Sequence, residues 1–82
     1  MDLEGIQLLS LDALKINETA VIHKMQGEDA IHFRLQEMGL VAGTAVTVKR
    51  LAPLGDPMEI LVRGYRLSIR KEDARQILVK KI

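Results

Sequence analysis

From Met58 to Val62, and again from Tyr65 to Ile69, apolar residues recur at every second position, with Gly64 between the two runs. Side chains of an extended strand point alternately to opposite faces, so this period makes two half-buried strands and excludes an amphipathic helix. Met58, Ile60 and Val62 alternate with Glu59, Leu61 and Arg63, and Tyr65, Leu67 and Ile69 with Arg66, Ser68 and Arg70. Gly64-Tyr65 reads as a two-residue hairpin turn with glycine first. A chain of 82 residues has room for one core only. Whatever covers the apolar face of this hairpin must therefore come from the rest of one domain, residues 1–82.

The rest supplies it. Thr19 to Met25 reads as a strand, with Val21, His23 and Met25 on one face and Ala20, Ile22 and Lys24 on the other. Val46 and Val48 alternate with Thr47 and Lys49, and Ile77 and Val79 open a last strand that reaches Ile82. Arg50 to Pro57, with two prolines and a glycine, is a long hairpin connection. Ser10 is a candidate cap for one helical turn. Asn17 suits a left-handed turn over Lys15–Glu18, and Lys71–Arg75 has the length of a single helical turn. One longer helix opens at Gly27 or Glu28 and runs for about 11 residues, an average globular length. Ile31, Leu35 and Met38 form its apolar stripe. Gly39 stands at C′ and Leu40 at C″, so Gly39 is expected in the left-handed conformation. About five strands with one helix between the first and second make a mainly β chain. So small a sheet must curl on itself, and a small closed β-barrel is expected. Leu35, Val48, Ile60, Leu67 and Ile69 are predicted to share its core.

Composition narrows the function. With no cysteine, thiolate zinc sites, disulfide scaffolds and cysteine chemistry are excluded. Aromatic residues are 2% of the chain, which argues against a proline-peptide groove or a base-stacking platform. The net charge of +1 is too near neutral for a strongly basic nucleic-acid binder. No glycine-flanked serine, catalytic triad or phosphate loop is present, so an enzyme is not expected. Met1-Asp2-Leu3-Glu4 is acidic where a secretory signal is basic, and no apolar run approaches the roughly 20 residues of a membrane span. A complete cytoplasmic protein without membrane insertion is the expectation.

Glu28 and His32 are four residues apart on the helix, and Asp29 and His32 three, so each pair shares a face. A carboxylate and an imidazole suit a borderline divalent ion, Fe(II) included, but two or three such ligands make only a weak, exchangeable site. The competing reading is a solvated face whose acidic residues favour the helix start. No resident cofactor is expected. His23 reads as a core or edge histidine rather than a ligand.

Taken together, Arg34-Leu35-Gln36-Glu37-Met38-Gly39-Leu40, Gly43-Thr44, Ala52-Pro53-Leu54-Gly55-Asp56-Pro57 and Gly64 to Arg70 resemble the FeoA family of ferrous iron transport accessory proteins. The resemblance runs from about Leu9 to Val79. Ala42 stands where the family often has proline, and Asn17 where it often has glycine. What the resemblance implies is an SH3-like β-barrel that works with FeoB, a membrane Fe(II) transporter with a cytoplasmic G-protein domain. It implies a regulatory role by protein contact, with the cytoplasmic part of the transporter as partner. Two other readings stay open. One is a small nucleic-acid-binding barrel, whose affinity would fall steeply with salt. The other is a stand-alone metal-sensing domain.

The partner surface is expected around Leu40, Val41 and Leu54. These lie in turns, where no strand or helix period demands an apolar side chain, and exposed apolar loop residues are candidate contacts. The arginines of the β half alternate with core residues, as solvation of a barrel requires. Oligomeric state is left open.

Overall fold

The computed structural model describes residues 8–27 and 30–82, with the side chains of α1 described from His32 onward. Six strands form one antiparallel sheet in the order β1-β6-β2-β3-β4-β5. They are β1 (Leu8–Ser10), β2 (Thr19–Met25), β3 (Ala45–Leu51), β4 (Met58–Val62), β5 (Tyr65–Ile69) and β6 (Ile77–Lys81), with helix α1 (Ala30–Glu37) after β2 and the single-turn α2 (Lys71–Ala74) before β6. The strand beyond the expected five is β1, which pairs Leu8 with Lys80 and Ser10 with Leu78. Three residues are too few to show a period. The 3-10 turn Leu11–Ala13 follows it at the place expected, although the Ser10 hydroxyl bonds the Asp12 carboxylate rather than capping the turn.

One core lies inside the curled sheet. Ala20 and Ile22 of β2, Val46 and Val48 of β3, Met58, Ile60 and Val62 of β4, and Ile77 and Val79 of β6 are buried there, with Leu11, Leu14, Leu35, Leu40 and Ile69. Four of the five core residues expected from phase are buried, and Leu67 packs half-buried against them. The strand ladder does not close: among the described residues β1 and β5 each have a single strand neighbour.

Two local features differ from the expected pattern. In β2, Ile22 pairs with Val79 and Lys24 with Leu78, so His23 is the extra residue of a bulge. His23 is consequently exposed, not a core histidine. The β4–β5 turn is Arg63-Gly64, one residue earlier than expected, with φ of 50° and 87°. Positive φ at both central residues is the type I′ turn, whose twist matches a right-handed hairpin. Tyr65 is thereby freed to pair with Val62 as the first residue of β5.

Helix α1 is described over the 8 residues Ala30–Glu37, and an opening at Glu28 lies outside the described residues. Its end follows the glycine rule. Gly39 has φ of 98°. Its N–H donates to the Gln36 carbonyl at 3.0 Å, and the Leu40 N–H reaches the Leu35 carbonyl at 3.0 Å. That pair of bonds is the Schellman arrangement, in which the residue after the glycine packs back on the last helical turn.

Candidate partner-contact surface

Leu40 is that packing residue, and it is 0% exposed. Its expected place on a partner surface is therefore overturned: the cap that turns the chain also drives this side chain into the core beside Leu35. Val41 is half-buried in the next turn, where the Thr44 N–H donates to its carbonyl at 3.1 Å.

Leu54 behaves in the opposite way. It stands in the β3–β4 connection, in the 3-10 turn Pro53–Gly55, and is 100% exposed. Its φ is 69°. A leucine in the left-handed region costs roughly 1–2 kcal/mol, because Cβ crowds the following carbonyl. The loop is fastened around it. Ala52 N–H donates to the Pro57 carbonyl at 3.0 Å, and Gly55 N–H to the Ala52 carbonyl at 2.7 Å. The Asp56 carboxylate accepts the Lys71 N–H at 3.0 Å, tying the loop to the start of α2. The sequence thus holds an apolar side chain in water, at a backbone cost, on a well-anchored tip.

Beside the loop runs the outer face of β5, where Arg66, Ser68 and Arg70 are all exposed. The Arg66 guanidinium pairs with the Glu59 carboxylate at 3.0 Å. Three open hollows meet at Ser68. One of about 180 Å³ lies against Ala52, Pro53 and Pro57. One of about 290 Å³ lies against Asp56 and Arg70. The third, about 220 Å³, separates β5 from α1 and is bordered by Arg34, Leu35 and Met38. The loop and the arginine face are therefore one continuous surface, although periodicity alone assigns those arginines only to solvation. None of these hollows includes Leu40 or Val41. A hollow between elements some thirty residues apart in the chain has no sequence signal of its own.

Of the expected metal ligands, Glu28 and Asp29 lie outside the described residues. His32 is half-buried on α1, its ring edge-on to Phe33 with centroids 5.8 Å apart. Among the described residues, no group of three or more His, Asp or Glu side chains is placed to hold a metal ion. Nor is any helix among them long and apolar enough to cross a membrane. Away from this surface, Glu18 is held below the usual carboxylate range by its bond to Lys81, at 2.6 Å, and by the Lys15 N–H, at 2.7 Å.

Residues 9–81 match the FeoA domain family model. The chain is 38% identical over 74 residues to an Fe(2+) transport protein A/Fe(2+) transporter FeoB fusion protein of Porphyromonas gingivalis, covering 90% of this chain and 9% of that protein. Among solved structures it is similar to FeoA of Chlorobium tepidum, with 36% identity, a TM-score of 0.85, and 90% of this chain and 70% of that one covered. It is also similar to FeoA of Stenotrophomonas maltophilia complexed with zinc, described as a procaryotic SH3 domain protein, with 31% identity, a TM-score of 0.78, and 87% and 88% covered. The curled six-stranded sheet with its inserted helix is thus the SH3-like fold expected.

Proposed function

The chain belongs to the FeoA family, and on that footing we propose that it is a non-enzymatic accessory module for Fe(II) uptake, acting by contact with the cytoplasmic part of a FeoB-type transporter. Two modules joined in one chain meet at a high effective concentration, so the fusion in Porphyromonas gingivalis supports the pairing. The present chain spans only 9% of that fusion, and the contact itself is our inference. In this reading the module sits on the cytoplasmic face. It favours one conformation of the transporter by binding it more tightly, which shifts the population without any bond being made or broken. Any divalent ion held by Glu28, Asp29 and His32 would exchange freely and has no required part in the contact.

The observation that carries the reading is Leu54: fully exposed, apolar, and held in a left-handed conformation on an anchored loop. Leu54→Glu should leave the fold intact, because an exposed loop change usually costs within about 0.5 kcal/mol. It should abolish co-purification with the transporter and lower Fe(II) uptake in cells lacking the wild-type module. Normal uptake and normal co-purification with a folded Leu54→Glu variant would remove the loop as the contact.

A further inference from the structure

The hairpin of β4 and β5 has a regular register, from Val62↔Tyr65 to Met58↔Ile69. In a two-residue hairpin the pair flanking the turn exchanges both backbone bonds, and bonded pairs then alternate along the ladder. Tyr65, Leu67 and Ile69 therefore spend their N–H and C=O groups on β4. Those of Arg66 and Ser68 point the other way, toward the outer edge, where no strand lies among the described residues. Among the described residues no other backbone bond takes them up there. An open row of donors and acceptors is a template for another strand, and native proteins usually blunt it.

Among the described residues this edge is open beside a groove. Across the hollow from Ser68 and Ile69 stand Arg34, Leu35 and Met38. The Tyr65 hydroxyl donates to the Met38 carbonyl, pinning the C-terminal end of α1 against the start of β5. The groove therefore has a fixed end and a floor that is apolar on the core side. Its rim is basic: Arg34 and Arg70 border it against one carboxylate, Asp73.

We propose that this groove binds an extended acidic segment of a partner protein, which adds to β5 as a further strand. The partner's alternate side chains would meet two different surfaces. Those on the inner side would rest on Leu35, Met38 and Ile69. Those on the outer side would lie beside Arg66, Ser68 and Arg70, where carboxylates are favoured and like charges are not. The same argument disfavours a second copy of this chain. Antiparallel pairing of β5 with itself about Ser68 would set Arg66 opposite Arg70 twice over. The groove adjoins the Leu54 loop at Ser68, but the proposal does not rest on the loop contact.

The probe is an acetylated nonapeptide of alternating glutamate and valine, titrated into the isotope-labelled chain and followed by amide chemical shifts. Shifts concentrated on Arg66–Arg70 and Arg34–Met38 are expected. A lysine–valine peptide of the same length should bind at least about tenfold more weakly, the equivalent of 1.4 kcal/mol. Ser68→Pro removes one outward N–H and no ladder bond, a change that edge strands tolerate, and it should lose the binding while the remaining spectrum is kept. Should that variant unfold, the double change Arg34→Glu with Arg70→Glu carries the same expectation. The proposal is overturned if the glutamate peptide shifts nothing, if the lysine peptide or an oligo-dT strand shifts the same amides as strongly, or if the free chain's own β5 amides move with its concentration, which would mean that self-pairing occupies the edge. The loop reading is tested by co-purification and uptake with Leu54→Glu rather than by this peptide, so a failure here leaves it standing.

Discussion

Two turns of this molecule put a leucine next to a glycine and treat it in opposite ways. In Met38-Gly39-Leu40 the glycine takes the left-handed conformation, at φ of 98°, and the leucine after it is fully buried. In Pro53-Leu54-Gly55 the leucine itself is left-handed, at φ of 69°, and its side chain is entirely in water. The first turn is solved for stability: the residue type that pays no steric penalty makes the bend, and the apolar side chain is free to complete the core. At the second turn the penalty is accepted and the apolar surface is left uncovered. Residues that break a local rule without a compensating contact in the domain are where function is to be sought.

The largest break in that comparison is at Leu40. Leu40→Ala removes a fully buried side chain and should cost about 2–5 kcal/mol by denaturant unfolding, while Leu54→Ala should stay within about 0.5 kcal/mol of wild type. Similar costs at the two sites would mean that the loop is packed in solution. Next in size is the bend itself. A Cβ on Gly39 would stand 3.1 Å from the Arg63 side chain in addition to its strained φ. Gly39→Val should therefore destabilise by more than about 1 kcal/mol, read as a lower melting temperature. Leu54→Gly is expected to go the other way. Relief of the left-handed leucine is worth roughly 1–2 kcal/mol, and the extra freedom of glycine in the unfolded chain returns about 0.5–1. A small net gain in stability with a loss of transporter association would separate the two roles of that position. A stable variant that still associates would leave only the backbone shape as the recognised feature.

A third left-handed residue sharpens the contrast at the smallest scale. Asn17, at φ of 72°, makes its turn in front of Glu18, whose carboxylate binds Lys81 and the Lys15 N–H. These bonds lower the Glu18 pKa in the folded state. The stabilisation is therefore present above the ordinary carboxylate range and is lost as pH falls through the lowered folded value. Glu18→Gln should flatten that part of the acid limb of an unfolding profile. The effect should be modest and shrink in salt, because the pair is solvent-exposed.

What the sequence made legible follows from how local each cause is. The bounds of β2, the alternating inner face of β4, the Asn17 turn and the Gly39 cap all rest on neighbours within a few residues, and all stand as expected. The bulge that exposes His23 depends on β6, which lies more than fifty positions away. The shift of the hairpin turn to Arg63-Gly64 required an arginine to accept positive φ, which no composition rule foretells. Leu40 carried its own warning: as the residue after a glycine cap it had a packing role already. Leu54 was visible as an apolar residue in a turn. The groove beside β5 was not, because Arg34 and Arg70 are brought together only by the path of the whole chain.

The unclosed ladder has a consequence for how the domain breathes. A strand held on both sides can leave only by breaking two ladders, whereas β1 and β5, at the ends of the row among the described residues, need break one each. Local opening should therefore begin at the seam and reach β2 and β3 last, so that amide exchange is fastest where the sheet ends and approaches the global unfolding rate at its middle. Whatever settles along β5 would slow the first of those openings. A partner would then be felt as protection from proteolysis and exchange in a strand it covers, even if no atom of the core moved.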